Sequence, residues 1–442
     1  MPCLTFQSIA TLIPDTSGQI FIGFSGGIDS TVLLHLCAAQ ATLKAKLVAV
    51  YVNHGLQSQA DDWGNHCRQQ ADLLGVEFLN LKVNAKPAIG ESPEAAARNA
   101  RYRSMQDLLE ANDVLLFAHH REDQMETMLL QLFRGAGIRG LAAMPVTTTF
   151  GKGRLIRPLL AIAKADIDNY AQQHALQWVE DPSNQSCDFD RNFLRNQITP
   201  LLKQRWPSLD KTVARSAQHC GEAMTQLDVW SSQLIEGRFD RIHRSLDLDN
   251  LQAFNEVQIS WLLRQWFTEL GLKPPSQALL QTFKTQLINA RSDASPILRK
   301  QGYVFSKYRK QLFCLPEQQL IALHETCIWS ADCTQFNLPN GYVLTRSPAS
   351  TGIAKSVWDK AKVHLQPRTG SETLKLAGRA GQHSLKKLFQ ESGIPPWERE
   401  TRPLIYLDDK LAGVAGLWIA EWVFSNAPND CYQVTWQLQE SM

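Results

Sequence analysis

Ser25-Gly26-Gly27-Ile28-Asp29-Ser30 stands between two runs of different character. Before it, Gln19-Ile20-Phe21-Ile22-Gly23-Phe24 is apolar, β-branched and aromatic, and predicts a buried strand. After it, Thr31-Val32-Leu33-Leu34-His35-Leu36-Cys37 has the apolar spacing of a helix. A strand feeding a Gly-Gly turn and then a helix gathers successive backbone N–H groups around one concavity. Such a concavity binds phosphate through those donors and the positive end of the helix dipole. The glycines let the backbone approach a ligand with no Cβ in the way. Ser25, Ser30 and Thr31 add hydroxyl groups, and Asp29 can reach a phosphate-bound Mg²⁺. Ser25, Gly26, Gly27, Ile28, Asp29 and Ser30 are therefore the expected phosphate contacts. The turn is not a Walker A loop, because no Gly-Lys-Ser/Thr follows it, and the dinucleotide pattern Gly-x-Gly-x-x-Gly is absent.

Around this stretch lies a chain of 442 residues, long enough for two or three domains. Hydrophobic content of 44% and charged content of 20% are those of a soluble globular protein. With a net charge of +2, a polyanion must be met by local patches. Nine cysteines, scattered and with no Cys-x-x-Cys pair, argue against a disulfide framework, a zinc ribbon or an iron–sulfur site. The first eighteen residues hold no Lys or Arg, which argues against a secretory signal. The longest apolar stretch, around Leu411 to Ala420, is about half of what a membrane helix needs. No membrane association and a reducing cytoplasm are expected.

Strand-like and helix-like segments alternate through residues 1–205. Strands are expected at Leu47–Val52, Val76–Val83 and Val114–Ala118, with helices between them, one of them opened by Ser92 as cap, and a further helix over Glu122–Arg134. This alternation predicts a parallel sheet covered on both faces, with ligands beyond the C-terminal strand ends, where Ser25, His54 and His119-His120 fall. From Lys211 to Asn289 helical periodicity dominates, with Trp230, Trp261 and Trp266 as packing anchors. Short β-like runs and a helix at Leu385–Glu391 follow.

His120, Asp123 and Glu126 are spaced by three and share a helical face aimed at the strand ends. Two carboxylates beside a phosphate loop can hold Mg²⁺, although carboxylates also favour a helix's first turn for dipole reasons alone. Arg191 and Arg195, one turn apart, can present two guanidiniums to one anion, or form a solvated basic face. Between Arg291 and Lys310 there is a local excess of five positive charges, interleaved with Tyr303, Phe305 and Tyr308. That mixture suits phosphate contact and base stacking, and equally a hairpin with charged outer positions.

The Ser25–Ser30 loop resembles the PP-loop of the N-type ATP pyrophosphatases. His-x-x-Asp-Asp-Gln-x-Glu-Thr, present here from His119 to Thr127 with Glu122 for the first Asp, is similar to a segment of the tRNA isoleucine-lysidine synthetases. Asn53-His54-Gly55-Leu56, Glu94–Tyr102, Arg134–Leu141, Arg157-Pro158-Leu159-Leu160, Asp181-Pro182-Ser183-Asn184 and Arg191–Arg195 look like the same family. Gly381–Gln390 and Gly393–Trp397 are similar to its C-terminal domain.

The resemblance implies an α/β fold: a Rossmann-like PP-loop domain with a parallel sheet over 1–210, a mainly helical tRNA-binding middle domain over 211–330, and a small α+β tRNA-recognition domain over 340–442. It implies that ATP adenylates C2 of the wobble cytidine in a CAU-anticodon tRNA(Ile), and that L-lysine then displaces AMP. It implies ATP and Mg²⁺ as cofactors, with Asp29 and Asp123 on the metal and Asp29, His120, Asp123 and Glu126 in catalysis. Arg98, Arg157, Asn184, Arg191, Arg195, Lys386 and Lys387 are the implied substrate contacts, and a homodimer stays open. The alternatives are a tRNA sulfur transferase sharing the adenylation step, whose usual patterned cysteines are missing here, an amide ligase acting on a free nucleotide, and a non-catalytic RNA-binding protein that senses ATP.

Overall fold

The structure is a computed structural model that describes residues 4–53, 59–83, 93–291, 296–330 and 332–439. The chain divides into two compact units, Met1–Asp228 and Val229–Met442. His54 and the expected Ser92 cap lie outside the described residues.

The first unit is built on a six-stranded sheet. Its strands are β1 (Ile20–Gly23), β2 (Leu47–Asn53), β3 (Glu77–Lys82), β4 (Val114–Leu116), β5 (Thr147–Phe150) and β6 (Gly153–Ile156), in the order β3-β2-β1-β4-β6-β5. All pairings are parallel except β5 with β6, an antiparallel edge that follows from the short turn between them. β2 is buried along its whole length, as an apolar run in a central parallel strand should be. Alternate strand residues feed two cores. Ile20, Ile22, Ala49 and Leu116 pack on one face, and Phe21, Val48, Val50 and Leu115 on the other. The first face is covered by α1 (Ile28–Ala38), α2 (Ala60–Leu74) and α5 (Lys164–Gln173); the second receives Met105 of α3 (Pro93–Leu108).

From β1 the strand order runs outward to β2 and β3 on one side and to β4 and β6 on the other. The crevice at the C-terminal ends of β1 and β4 is therefore the switch point at which open α/β sheets bind ligands. The Gly-Gly turn leaves β1 there, and α4 (Arg121–Phe133) begins there after β4. Further on come α6 (Asp190–Phe193), a π-helical turn at Leu194–Ile198, α7 (Thr199–Arg205) and α8 (Leu209–Ile235).

The second unit begins with helices, as the periodicity predicts, but also holds the short strands β7 (Phe239–Asp240) and β8 (Ser245–Asp247), too brief to give an alternation signal. They join β9 (Ile297–Lys300), β10 (Tyr303–Tyr308) and β11 (Gln311–Pro316) in the order β7-β8-β11-β10-β9. Trp266, Phe267, Phe283 and Phe305 interlock in the core against this sheet. Trp266 is fully buried, whereas Trp230 and Trp261 are half-buried. The rest of the unit carries two five-stranded antiparallel sheets and the helix Leu385–Glu391.

Candidate active site

The loop after β1 is held in shape from within. Gly26 takes φ +79°, and a Cβ there would meet Cys67 Sγ at 2.9 Å. Its carbonyl accepts the Val179 N–H at 2.9 Å, so the 179 segment braces the turn. Gly27 is the N-cap of α1. The Ser30 hydroxyl donates to the Gly27 carbonyl at 2.9 Å and Thr31 Oγ1 donates to it at 3.1 Å. These two hydroxyls close the turn, and the exposed Ser25 remains the hydroxyl at its rim. Ile28 starts the helix beside it.

Asp29 is the sequence-expected carboxylate on this loop, and Lys164 is what the structure adds to it. Lys164 Nζ lies 2.6 Å from Asp29 Oδ1 and 3.1 Å from Asp168 Oδ1. His120 Nε2 lies 3.9 Å from Asp29 Oδ2 and 3.4 Å from Asp123 Oδ2, so the two carboxylates converge on one imidazole.

His120 is the N-cap of α4, and its N–H donates to Asp123 Oδ2 at 3.0 Å. Burial alone pushes the His120 pKa down, but the close Glu122 carboxylate and the charges of Asp123 and Asp29 outweigh it, and the pKa is raised. Glu122 approaches His120 Nδ1 at 3.3 Å, accepts the Lys164 N–H at 2.9 Å and faces Lys203 Nζ at 3.4 Å. Burial works to raise the Glu122 pKa; these partners together hold it down to about 2. Burial likewise opposes ionisation of Asp123, yet the charges of His120 and Arg191 keep its pKa low. His119 behaves in the opposite way: burial, helped by Arg157, Arg191 and Arg101, pushes its pKa down to about 3. At neutral pH it is an uncharged imidazole whose buried Nδ1 has no hydrogen-bond partner among the described residues.

The anion shared by Arg191 and Arg195 is Glu126. Arg191 Nε donates to it at 3.0 Å, and Arg195 grips it through Nε and Nη2, both at 2.7 Å. Arg195 Nη2 also reaches Asp123 Oδ1 at 2.9 Å, and Arg191 Nη2 reaches Thr127 Oγ1 at 2.8 Å. Glu126 is 1% exposed, so these guanidiniums enclose it. Its carboxylate anchors the arginines to α4.

A cavity of ≈ 390 Å³ lies at the switch point. Ser25, Gly27, Asp29 and Ser30 line one side, His119 and Asp123 another, and Tyr51, Trp63, Arg101 and Asp181 much of the rest. Of the residues expected from sequence, Arg98 is exposed, with its guanidinium 5.2 Å from the Tyr102 ring. Arg157 is buried, with Nη1 donating to the Pro145 carbonyl at 2.8 Å, and does not line the cavity. The Asn184 side chain lies outside the described residues. Lys164, His119, Arg101 and Asp181 were not among the expected site residues; His119 carried a signal, since it and not His120 matches the spacing of the motif.

Asp29 and Asp123 fit a Mg²⁺ ion, because both are oxygen donors lining the same cavity and both flank His120 Nε2. Among the described residues no three His, Cys, Asp or Glu side chains group as a closed metal site. Mg²⁺ commonly takes one or two carboxylates and completes its shell with phosphate and water.

In the second unit Lys386 and Lys387 are exposed on the helix Leu385–Glu391. The aromatic residues expected to stack on bases are engaged elsewhere. Phe305 is 1% exposed in the core, Tyr303 lies under Arg244, and Tyr308 accepts from Arg399 Nη2 at 3.2 Å. Trp397 packs edge-on against Tyr308 and Phe313, and Lys307 Nζ donates to the carbonyls of Ile288 and Ala290.

A PP-loop at the switch point of a parallel sheet defines a nucleotide-using α/β enzyme, and comparison with known proteins gives the family. Residues 5–202 match the PP-loop domain, 246–313 the TilS substrate binding domain and 363–436 the TilS substrate C-terminal domain. A tRNA(Ile)-lysidine synthase of Methylococcus capsulatus (strain Bath) is 38% identical over 92% of this chain and 93% of that protein. One of Coxiella burnetii is 39% identical over 92% of this chain and 90% of that protein. The chain belongs to the tRNA(Ile)-lysidine synthase family. Among solved structures, the U34-tRNA thiolase NcsA of Methanococcus maripaludis matches with a TM-score of 0.41 at 18% identity, over 48% of this chain and 76% of its own.

Proposed function

We propose that this chain uses ATP to join L-lysine to C2 of the wobble cytidine of a CAU-anticodon tRNA(Ile), releasing pyrophosphate and AMP. The observation that carries the reading is the single cavity onto which the Ser25–Ser30 loop and the His119–Asp123 end of α4 both open. Its volume falls within the roughly 300–1,000 Å³ of small-molecule pockets. A sulfur-transfer reading is weaker, since the cysteines at the sheet, Cys37 and Cys67, are buried, with pKa values pushed up to about 12 by that burial.

The loop N–H groups and the α1 N-terminus receive the leaving pyrophosphate. Asp29 and Asp123 would hold Mg²⁺, which when bound would supply charge neutralisation at the phosphates. Adenylation of the C2 oxygen turns a poor leaving group into AMP, and the lysine ε-amine then attacks C2. Of the two carboxylates on this face of α4, Asp123 faces the cavity while Glu126 is enclosed by guanidiniums. Asp123 therefore takes the proton. Its low pKa is adequate, because the attacking nitrogen becomes strongly acidic as the C–N bond forms. His119, uncharged, lines the same wall and adds no positive charge beside the attacking amine. We assign the three parts 1–210, 211–330 and 340–442 to catalysis, tRNA binding and tRNA recognition.

The test follows lysine transfer. Asp123→Asn should abolish lysine incorporation into the transcript, with Asp123→Glu as the conservative comparison. Full lysine transfer by Asp123→Asn would remove Asp123 from the role.

A further inference from the structure

We propose that Lys164 is the exchangeable counter-ion of Asp29: its ammonium holds the loop carboxylate in the free protein and moves to Asp168 when a divalent cation takes its place. The inference rests on the reading of Asp29 as a metal ligand and adds how access to that ligand is controlled.

The loop itself has no lysine, and the cation is delivered to it from 135 residues away. Lys164 Nζ is 2.6 Å from Asp29 Oδ1 and 3.1 Å from Asp168 Oδ1, so one head group is shared by two carboxylates. Its backbone is fixed separately: Lys164 is the first residue of α5, and its N–H donates to Glu122 at 2.9 Å. The pivot is thus anchored while the end of a four-carbon stem has two seats. All three side chains are about a third exposed (32% for Lys164 and Asp29, 39% for Asp168), so water can follow the exchange.

The neighbouring cations are tied differently. Arg191 and Arg195 enclose a Glu126 side chain that is 2% exposed, and Lys203 faces Glu122 and the buried Asp210. Moving those would strand a buried charge, which is costly. Moving Lys164 strands nothing, because Asp168 lies one helical turn along the same face.

The consequence concerns the order of binding. An ammonium at 2.6 Å neutralises Asp29 and repels a metal approaching it alone. A cation that arrives on a polyphosphate is helped twice: the phosphates carry it to the loop, and their charge draws the ammonium off the carboxylate. The free protein should therefore bind divalent metal weakly.

Mn²⁺ alone is titrated into the full-length protein, without nucleotide, tRNA or lysine, and free Mn²⁺ is followed by its electron paramagnetic resonance signal. Lys164→Met should bind Mn²⁺ on the order of tenfold more tightly than the wild type. Adding Asp29→Asn to that variant should erase the gain. Asp168→Asn, which removes the second seat, should weaken binding below the wild type. Lys164→Gln provides the same reading should Lys164→Met fold poorly. Binding by the lysine variants no tighter than wild type, a gain that survives Asp29→Asn, or no effect of Asp168→Asn would overturn the proposal. Because the titration needs neither tRNA nor lysine, a failure of lysine transfer in the wild type would count against the proposed function and leave this result standing.

Discussion

Arg195 grips Glu126 with two parallel bonds, Nε to Oε1 and Nη2 to Oε2, each 2.7 Å long. With Arg191 on the same carboxylate, the pair ties the 191–195 turn to α4 and fixes the face that Asp123 presents to the cavity. Replacing Glu126 by Gln takes the carboxylate from Arg191 and leaves Arg195 with Asp123 alone, both guanidiniums being partly buried. The expected loss is about 3 kcal/mol of folding stability, read from urea denaturation midpoints at unchanged slope. A loss below about 1 kcal/mol would mean that the pair behaves as a surface salt bridge.

Adjacent glycines in the loop should respond in opposite ways. Gly26 has φ +79°, and a Cβ there would lie 2.9 Å from Cys67 Sγ; Gly27 has φ −71°, and its nearest neighbour to a new Cβ is Ser25 Oγ at 3.5 Å. Gly26→Ala should cost about 1–2 kcal/mol through the strained backbone alone, with a lower melting temperature and lost AMP release. Gly27→Ala should melt like the wild type, so any loss of AMP release would report the approach of phosphate to the loop.

Stability should peak near pH 6.5, because the site's shifted groups pull in opposite directions. His119 and Glu122 have folded pKa values of about 3 and about 2, below their ordinary values, so the unfolded chain binds more protons than the native one in acid. Their contributions are lost as pH falls, from 6.5 downward for His119 and from 4.5 toward 2 for Glu122. His120 is raised, so its contribution is present below pH 6.5 and is lost as pH climbs through its folded value. Urea midpoints across pH 4–9 should show both slopes; His119→Asn should flatten the acid one and His120→Asn the alkaline one.

The second unit separates core from contact surface. Phe305→Ala empties the centre of a four-ring cluster and should cost about 3–5 kcal/mol. Lys386→Ala and Lys387→Ala should leave the melting temperature unchanged, since both side chains are exposed on one helix face edge. Each should weaken tRNA binding and reduce the slope of log affinity against log salt by about one. Unchanged slopes would take both lysines off the RNA.

The Gly-Gly turn, the strands around it and the α4 carboxylates are legible in sequence because their signals are local: apolar runs, glycine at a turn, a spacing of three. The antiparallel β5 edge carries no such signal, since a four-residue strand of three threonines and a phenylalanine is too short to show an alternation. Spacing placed Arg191 and Arg195 on one anion, but only the fold reveals that this anion is Glu126, 65 residues earlier in the chain from Arg191. Lys164 was invisible for the same reason: its partner Asp29 is distant in sequence, and an alanine-flanked lysine at a helix start has no motif. Composition also cannot tell an aromatic residue that stacks on a base from one that fills a core, and Phe305 and Trp397 prove to be packed in the protein.

The central claim is tested most directly by transfer of labelled lysine to transcripts of CAU-anticodon tRNA(Ile), with ATP and Mg²⁺ present. A matched transcript carries uridine at the wobble position. The account predicts label in the cytidine transcript alone, with one AMP released for each lysine incorporated. AMP release without lysine incorporation, or equal labelling of both transcripts, would contradict it.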